Sequence, residues 1–210
     1  MGLSQESVDL KLQCACTHRR LRTRLKKVTF HHVLQSRELF VIDGRVPPRE
    51  IAQLERYLRS LSYARRGIDS KETKRVRSFA KGFDVQESAR FPWFAPFIQI
   101  SKEFFPGPGM ILKQVMCNCL LFGDMLYPHA DLPRSSNGVT VLYFANSRWP
   151  RDWGGEIVFF DSRGEAVFAV SPKPGRIVAF RADIEHRAGT PLRDCLDERL
   201  TLAFKFASAG

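Results

Sequence analysis

Residues 111–145 read ILKQVMCNCLLFGDMLYPHADLPRSSNGVTVLYFA, and the fold turns on how this stretch is taken. Its two apolar runs, 111–122 and 138–145, have the length and composition of strands, with the turn-rich RSSNG leading into the second. Between them stands YPHAD, Tyr127 to Asp131. On an extended chain alternate side chains share a side, so His129 and Asp131 point the same way and can grip one metal ion. Further C-terminal the texture persists. Short β-rich runs follow at 155–161, 165–171, 175–181 and 199–206, separated by turn clusters such as DSRGE and PKPG.

Towards the N-terminus the periodicity changes. ELFVIDG reads as a strand, and PPREIAQLERYLRSL as a helix. Pro47 and Pro48 suit its first turn, and Ile51, Leu54, Leu58 and Leu61 share one face. Residues 65–90 are polar, basic and irregular, and FPWFAPFIQISKEFF predicts a second apolar helix stopped by PGPG. Helices first and many short strands afterwards predict a mainly β protein with flanking helices, its core a β-sandwich or jelly roll buttressed on one face. At 210 residues the chain suits one domain, 1–210, able to bury roughly 70% of the surface its unfolded form exposes. Within it, 1–35 is the basic amphipathic N-terminal helix, 36–110 the strand and supporting helices, and 111–206 the β core. No internal repeat interrupts it.

A net charge of +11 suggests nucleic acid until its location is read. Seven Lys or Arg residues and no acid lie between Lys11 and Lys27, and seven more between Arg65 and Lys81 face only Asp69 and Glu72. The rest of the chain is close to neutral. Leu10, Cys14, Leu21, Leu25 and Val28 fall on one stripe opposite the arginines, so residues 7–27 predict a basic amphipathic helix packed on the domain. An Arg-rich amphipathic N-terminus also resembles a targeting peptide, against which Glu6 and Asp9 argue. Five cysteines, an odd number without a secretory apolar segment, point to a reducing, cytoplasmic setting. No apolar run approaches the roughly 20 residues of a membrane span.

His129 and Asp131 need a third ligand, and His186 in RADIEHRAG follows the strand GRIVAF where a jelly roll can bring it alongside. Two imidazoles and one carboxylate on one face of a metal leave the opposite positions open, as in non-haem Fe(II) oxygenases, although zinc accepts the same donors. Arg199 opens the last run, ERLTLAFKF, with Thr201 on the same side. A buried arginine fork helped by a hydroxyl suits the far carboxylate of a dicarboxylate ligand. Cys117 and Cys119 share a strand face but lack a second pair at zinc spacing, so they read as packing.

Taken together, YPHAD, VTVLYFAN, WGGEIVFFD, VSPKPGRIVAF, EHRAGTP and ERLTLAFKF resemble the double-stranded β-helix core, cupin-like in shape, of the Fe(II)- and 2-oxoglutarate-dependent dioxygenases, and in particular their prolyl-hydroxylase-like branch. ELFVIDGRVPPREIAQLERYL resembles the strand and helix that precede this core in the family. The resemblance implies iron held by His129, Asp131 and His186. It implies 2-oxoglutarate chelating that iron through its C1 carboxylate and keto oxygen, with its distal carboxylate on Arg199. Dioxygen is the second cosubstrate, and ascorbate a further candidate. Asn118 and Tyr127 are candidate polar contacts to 2-oxoglutarate beside Thr201. Relatives place a tyrosine in the strand matching VTVLYFAN, but strand parity here puts Phe144 and not Tyr143 on the side of Thr140 and Leu142. Asp131 is retained, which favours hydroxylation, desaturation or epoxidation over halogenation.

The leading expectation is a hydroxylase of a small molecule, one from specialised metabolism or one bearing a carboxylate or phosphate, releasing succinate and carbon dioxide. Arg134, Arg148 and Arg151 suit an anionic group, and Trp149 and Trp153 stand where the family shapes its active-site mouth. The first alternative is a hydroxylase of a prolyl or other residue in a protein or peptide. Oxidative demethylation of nucleic acid ranks below it, because the second basic position on the last strand is Lys205 rather than arginine. A non-catalytic cupin-like binding protein ranks last. Oligomeric state leaves no mark in the sequence.

Overall fold

The computed structural model describes residues 28–65, 78–107, 109–124 and 126–208. Eleven strands occur among them: β1 Phe30–Leu34, β2 Arg37–Ile42, β3 Ala64–Arg65, β4 Phe79–Phe83, β5 Met110–Leu120, β6 Val139–Phe144, β7 Ile157–Phe160, β8 Ala166–Val170, β9 Ile177–Arg181, β10 His186–Ala188 and β11 Arg199–Ser208. They build an eight-stranded sheet in the order β1-β2-β9-β6-β11-β5-β4-β3 and a three-stranded sheet in the order β10-β7-β8. Every pairing among the described strands is antiparallel, and the two sheets face one another as a jelly roll.

Alternation along the strands divides the large sheet into two faces. On the outer face Phe40, Cys117, Val141, Tyr143, Ile177, Leu202 and Phe204 join one apolar cluster. Three helices cover it: α1 Pro48–Arg59, α2 Val85–Arg90 and α3 Ala95–Phe104. Helix α1 starts on Pro48, has Glu50 in its first turn and Arg56 and Arg59 in its last, and buries Ile51, Leu54 and Leu58 at helical spacing. Helix α2 is capped by the Asp84 carboxylate, which accepts from the Gln86 and Glu87 amides. On the inner face Leu39, Val41, Leu142, Phe144, Val178 and Phe180 meet Ile157, Phe159 and Val170 of the small sheet. That second cluster fills one half of the space between the sheets. The other half stays open.

The jelly roll buttressed on one face agrees with the sequence reading, and Tyr143 does turn outward while Phe144 turns inward. Differences lie in the polar segments. The stretch 65–90, expected to be irregular, contributes β4 and α2 at its C-terminal end. The N-terminal segment 1–35 ends in β1 rather than in helix, while the amphipathic helix expected over 7–27 lies outside the described residues. Cys117 and Cys119 are buried packing residues, and the Tyr63 hydroxyl donates to Cys117 Sγ at 3.3 Å.

Candidate active site

The segment carrying YPHAD forms no long strand, yet its backbone is fixed. His129 N donates to His186 O at 3.0 Å, His186 N returns the bond to His129 O at 2.9 Å, and Asp131 N donates to Ala182 O at 2.9 Å. This one bridge sets the two imidazoles side by side, with ring centroids 4.7 Å apart. Asp131 lies within reach of both. Its Oδ1 is 3.7 Å from His129 Nε2, and its Oδ2 is 3.6 Å from His186 Nε2. Donor atoms of all three fall within 4.8 Å of one another.

The rings are oriented for ligation. His129 Nδ1 meets Tyr127 O at 2.8 Å, and His186 Nδ1 meets Ile184 O at 2.9 Å. A carbonyl only accepts, so each Nδ1 carries the proton and each Nε2 offers its lone pair to the shared space. Burial pushes the His186 pKa down and keeps that imidazole neutral, against the charge of Asp131. For Asp131 burial acts upward, but the electrostatic pull of the adjoining His186 ring and of the Lys205 ammonium, with hydrogen bonds from Lys205 and Thr140, brings its pKa to about 2. Thr140 Oγ1 donates to Oδ2 at 2.6 Å, and Lys205 Nζ sits 2.7 Å from Oδ1. The carboxylate is charged and held from both sides.

Arg199 begins β11 and is 1% exposed. The buried Asn146 clamps the chain on either side of it: its amide donates to Glu198 O at 2.7 Å and its carbonyl oxygen accepts from Leu200 N at 2.8 Å. Arg199 Nε donates to Gly155 O at 2.6 Å, and the guanidinium lies over Phe144, 5.2 Å from its ring centroid. Nη1 and Nη2 are buried without a hydrogen-bond partner. Burial pulls the pKa of this group down to about 10, still far above neutrality, so a fixed charge stands in the wall of the cleft with its fork unused.

The cleft is lined by His129, Asp131, His186 and Arg199, with Asn118, Thr201, Thr140 and Lys205 among the other polar residues. Asn118 pairs with Thr201 across β5 and β11, and Thr201 with Phe144 across β11 and β6. Of the predicted contacts Tyr127 stands apart. Its side chain is 43% exposed, outside the lining, and it serves the site only through its carbonyl on His129. Trp149 and Trp153 also stay outside the lining. Trp149 packs behind the glycine pair, its indole donating to Gly154 O at 2.9 Å, and Trp153 meets it edge-on. Sequence reasoning passed over Thr140, Lys205 as a site residue, and Gly155. Strand parity with Leu142 and Arg199 could have found the first two; the third is visible only once Arg199 packs on it.

Two imidazoles with their Nε2 atoms turned to one space, a charged carboxylate and an unpartnered guanidinium on the wall of one jelly-roll cleft fit a divalent metal together with a dicarboxylate, and the enzyme class this defines is a metal-dependent oxygenase. Residues 115–206 match the family model of the 2OG-Fe(II) oxygenase superfamily. As such an enzyme the chain uses Fe(II), 2-oxoglutarate and dioxygen.

Solved structures share the fold at low identity. A prolyl-4-hydroxylase from Pseudomonas putida is 20% identical, with 82% of this chain and 93% of that one covered and a TM-score of 0.56. HygX from Streptomyces hygroscopicus, with nickel and 2-oxoglutarate bound, is 14% identical over 99% and 88% of the chains, TM-score 0.59. The non-haem α-ketoglutarate-dependent epimerase SnoN from nogalamycin biosynthesis is 13% identical over 93% and 84%, TM-score 0.58. Among curated proteins, none matches the sequence. No helix among the described residues is long and apolar enough to cross a membrane.

Proposed function

We propose that His129, Asp131 and His186 hold the Fe(II), that Arg199 with Thr201 and Asn118 receives the distal carboxylate of 2-oxoglutarate, and that the enzyme hydroxylates a small molecule. The observation that carries this reading is the buried Arg199 fork with Nη1 and Nη2 unpartnered in the cleft wall. Desolvating a carboxylate is costly, and a fixed planar cation offsets that cost through two parallel hydrogen bonds.

With metal and cosubstrate bound, the site would couple decarboxylation of 2-oxoglutarate to succinate and carbon dioxide with transfer of one oxygen atom to a substrate C–H bond. The chain's own part is orientation. Tyr127 O and Ile184 O fix the imidazole tautomers, Thr140 and Lys205 hold the Asp131 carboxylate, and Gly155 O aims the Arg199 fork. Leu126, Leu142, Ile157 and Ala188 supply apolar walls that exclude water. A narrow cleft between two sheets suits a small substrate, and SnoN from nogalamycin biosynthesis has a similar fold. The prolyl-4-hydroxylase likeness favours a second reading, a prolyl residue in a peptide. Three buried free thiols, Cys117, Cys119 and Cys195, accord with work in a reducing cytoplasm.

Titrating 2-oxoglutarate into anaerobic Fe(II) protein and following the metal-to-ligand charge-transfer band tests the site. Arg199→Ala is expected to lose roughly 3 kcal/mol or more of cosubstrate binding, and Arg199→Lys part of that. His186→Ala is expected to abolish metal-dependent turnover of 2-oxoglutarate while staying folded. Wild-type cosubstrate affinity in Arg199→Ala, or full turnover in His186→Ala, overturns the assignment. Mass gains of one oxygen in metabolite pools, compared with prolyl peptides, decide between the substrate readings.

A further inference from the structure

The cleft contains a cation whose contact with Asp131 uses only part of its hydrogen-bonding capacity. Lys205 lies on β11 on the same face as Arg199, Thr201 and Ala203, and all four line the cleft. Its side chain is only 13% exposed, with Nζ 2.7 Å from Asp131 Oδ1. Asp131 is the one carboxylate among the described lining residues. Glu156 bears on Arg199 only through space and from outside that lining.

Charge balance gives Lys205 its meaning. A divalent metal and the 2-oxoglutarate dianion cancel each other, and Asp131 cancels Arg199. Imidazoles that ligate a metal do so in the neutral form, so the positive charge of Lys205 is left over once the site is loaded. An uncompensated charge in a closed cleft is costly, and an anion is what relieves it. Lys205 already spends one hydrogen bond on Asp131, but an ammonium has three donors. The other two are available to a substrate.

We propose that Lys205 is the receptor for a carboxylate or phosphate group of the substrate, and therefore a specificity-determining residue of the small-molecule reaction. This rests on the assignment of His129, Asp131, His186 and Arg199 given above. An anion on Nζ sits one hydrogen bond beyond a side chain of the metal-binding set, so the oxidised carbon lies within a few bonds of the anionic group. The substrate class is a short-chain or ring acid, or a phosphate ester, oxidised near its charged end.

Protein-observed NMR tests this on the full chain loaded with Zn(II), a diamagnetic stand-in for iron, and saturated with 2-oxoglutarate. Methylphosphonate and acetate are titrated in separate arms, with tetramethylammonium as the cationic control. At least one anion is expected to give saturable shifts around the cleft in wild type. Its affinity is expected to fall about tenfold or more in Lys205→Met and to stay within about threefold in Lys205→Arg, which keeps the charge. Tetramethylammonium is expected not to bind. The two anion arms distinguish a phosphate-bearing from a carboxylate-bearing substrate. Equal anion affinity in Lys205→Met, or no anion binding to wild type that demonstrably holds Zn(II) and 2-oxoglutarate, overturns the receptor role. Loss of 2-oxoglutarate together with the anion in Lys205→Met also overturns it, and leaves Lys205 only its role of holding Asp131. If wild type fails to bind Zn(II) or 2-oxoglutarate at all, the site assignment itself is wrong and this proposal falls with it.

Discussion

At Gly155 the chain has no room for a side chain. A Cβ there would stand 2.9 Å from Arg199 Cδ and 3.1 Å from Nε, and φ is +79°, a region that L-residues rarely adopt. The Gly155 carbonyl is also what aims the guanidinium. Gly155→Ala is therefore expected to push Arg199 off its axis. Affinity for 2-oxoglutarate should fall about tenfold or more, equivalent to about 1.4 kcal/mol, while metal affinity changes less than about threefold. Unchanged cosubstrate binding in the charge-transfer titration would show that Arg199 does not depend on this contact. The sequence displays the glycine pair but not its purpose, because the partner is 44 positions away and meets it only through the packing of two sheets. Tyr127 failed for a related reason. It shares the parity of His129 and Asp131, but the backbone bridge begins at His129, so alternation cannot be carried back past it.

Elements announced themselves where burial imposed a period. Strand β11 alternates Arg199, Thr201, Ala203 and Lys205 inward with Leu200, Leu202 and Phe204 outward, so Arg199 and Thr201 share a face as alternation predicts. Strand β4 hid in a basic stretch because Lys81 and Gly82 interrupt its apolar pattern; pairing with β5 makes it a strand. Strand β10 is three residues held by β7, too short for any local signal. Between elements, Asp43 at the end of β2 binds Arg176 at the start of β9 through Nε and Nη2, both at 2.9 Å, with Lys173 at 3.1 Å. The Arg176 hydrogen bond, aided by Lys173, holds the Asp43 pKa below its ordinary 3.8 despite burial. A carboxyl depressed on folding adds stability above its unfolded pKa and surrenders it as pH falls through the folded value. Asp43→Asn should thus be less stable than wild type at neutral pH, and the two denaturation midpoints should converge as the pH drops below about 4. A gap that stays constant down the acid limb would exclude this ion pair as its source.

On the scale of the whole molecule, one sheet serves two cores of different purpose. Its outer face is sealed by helices, and its inner face is half sealed by the small sheet and half open to the cleft. Phe97 of α3 belongs to the sealed side. It is fully buried, with its ring 4.6 Å from Tyr143 and 5.0 Å from Phe204 by centroid. Both partners sit on strands whose next residues, Phe144 and Lys205, face inward. Truncating Phe97 opens a cavity and removes two aromatic contacts, so Phe97→Ala is expected to cost about 3–5 kcal/mol. For a chain of this length that is a fall in Tm of about 6–20 °C. Phe97→Leu, which keeps most of the volume, should cost less than about 1.5 kcal/mol. Neither substitution reaches the cleft, because the sheet stands between them and strands shift little when well packed. Cosubstrate affinity, measured well below the new Tm, should stay within about threefold of wild type in both. If Phe97→Leu, still stable, bound 2-oxoglutarate about tenfold more weakly, the helical layer would be shaping the site through the sheet, and the separation of support from chemistry argued here would fail.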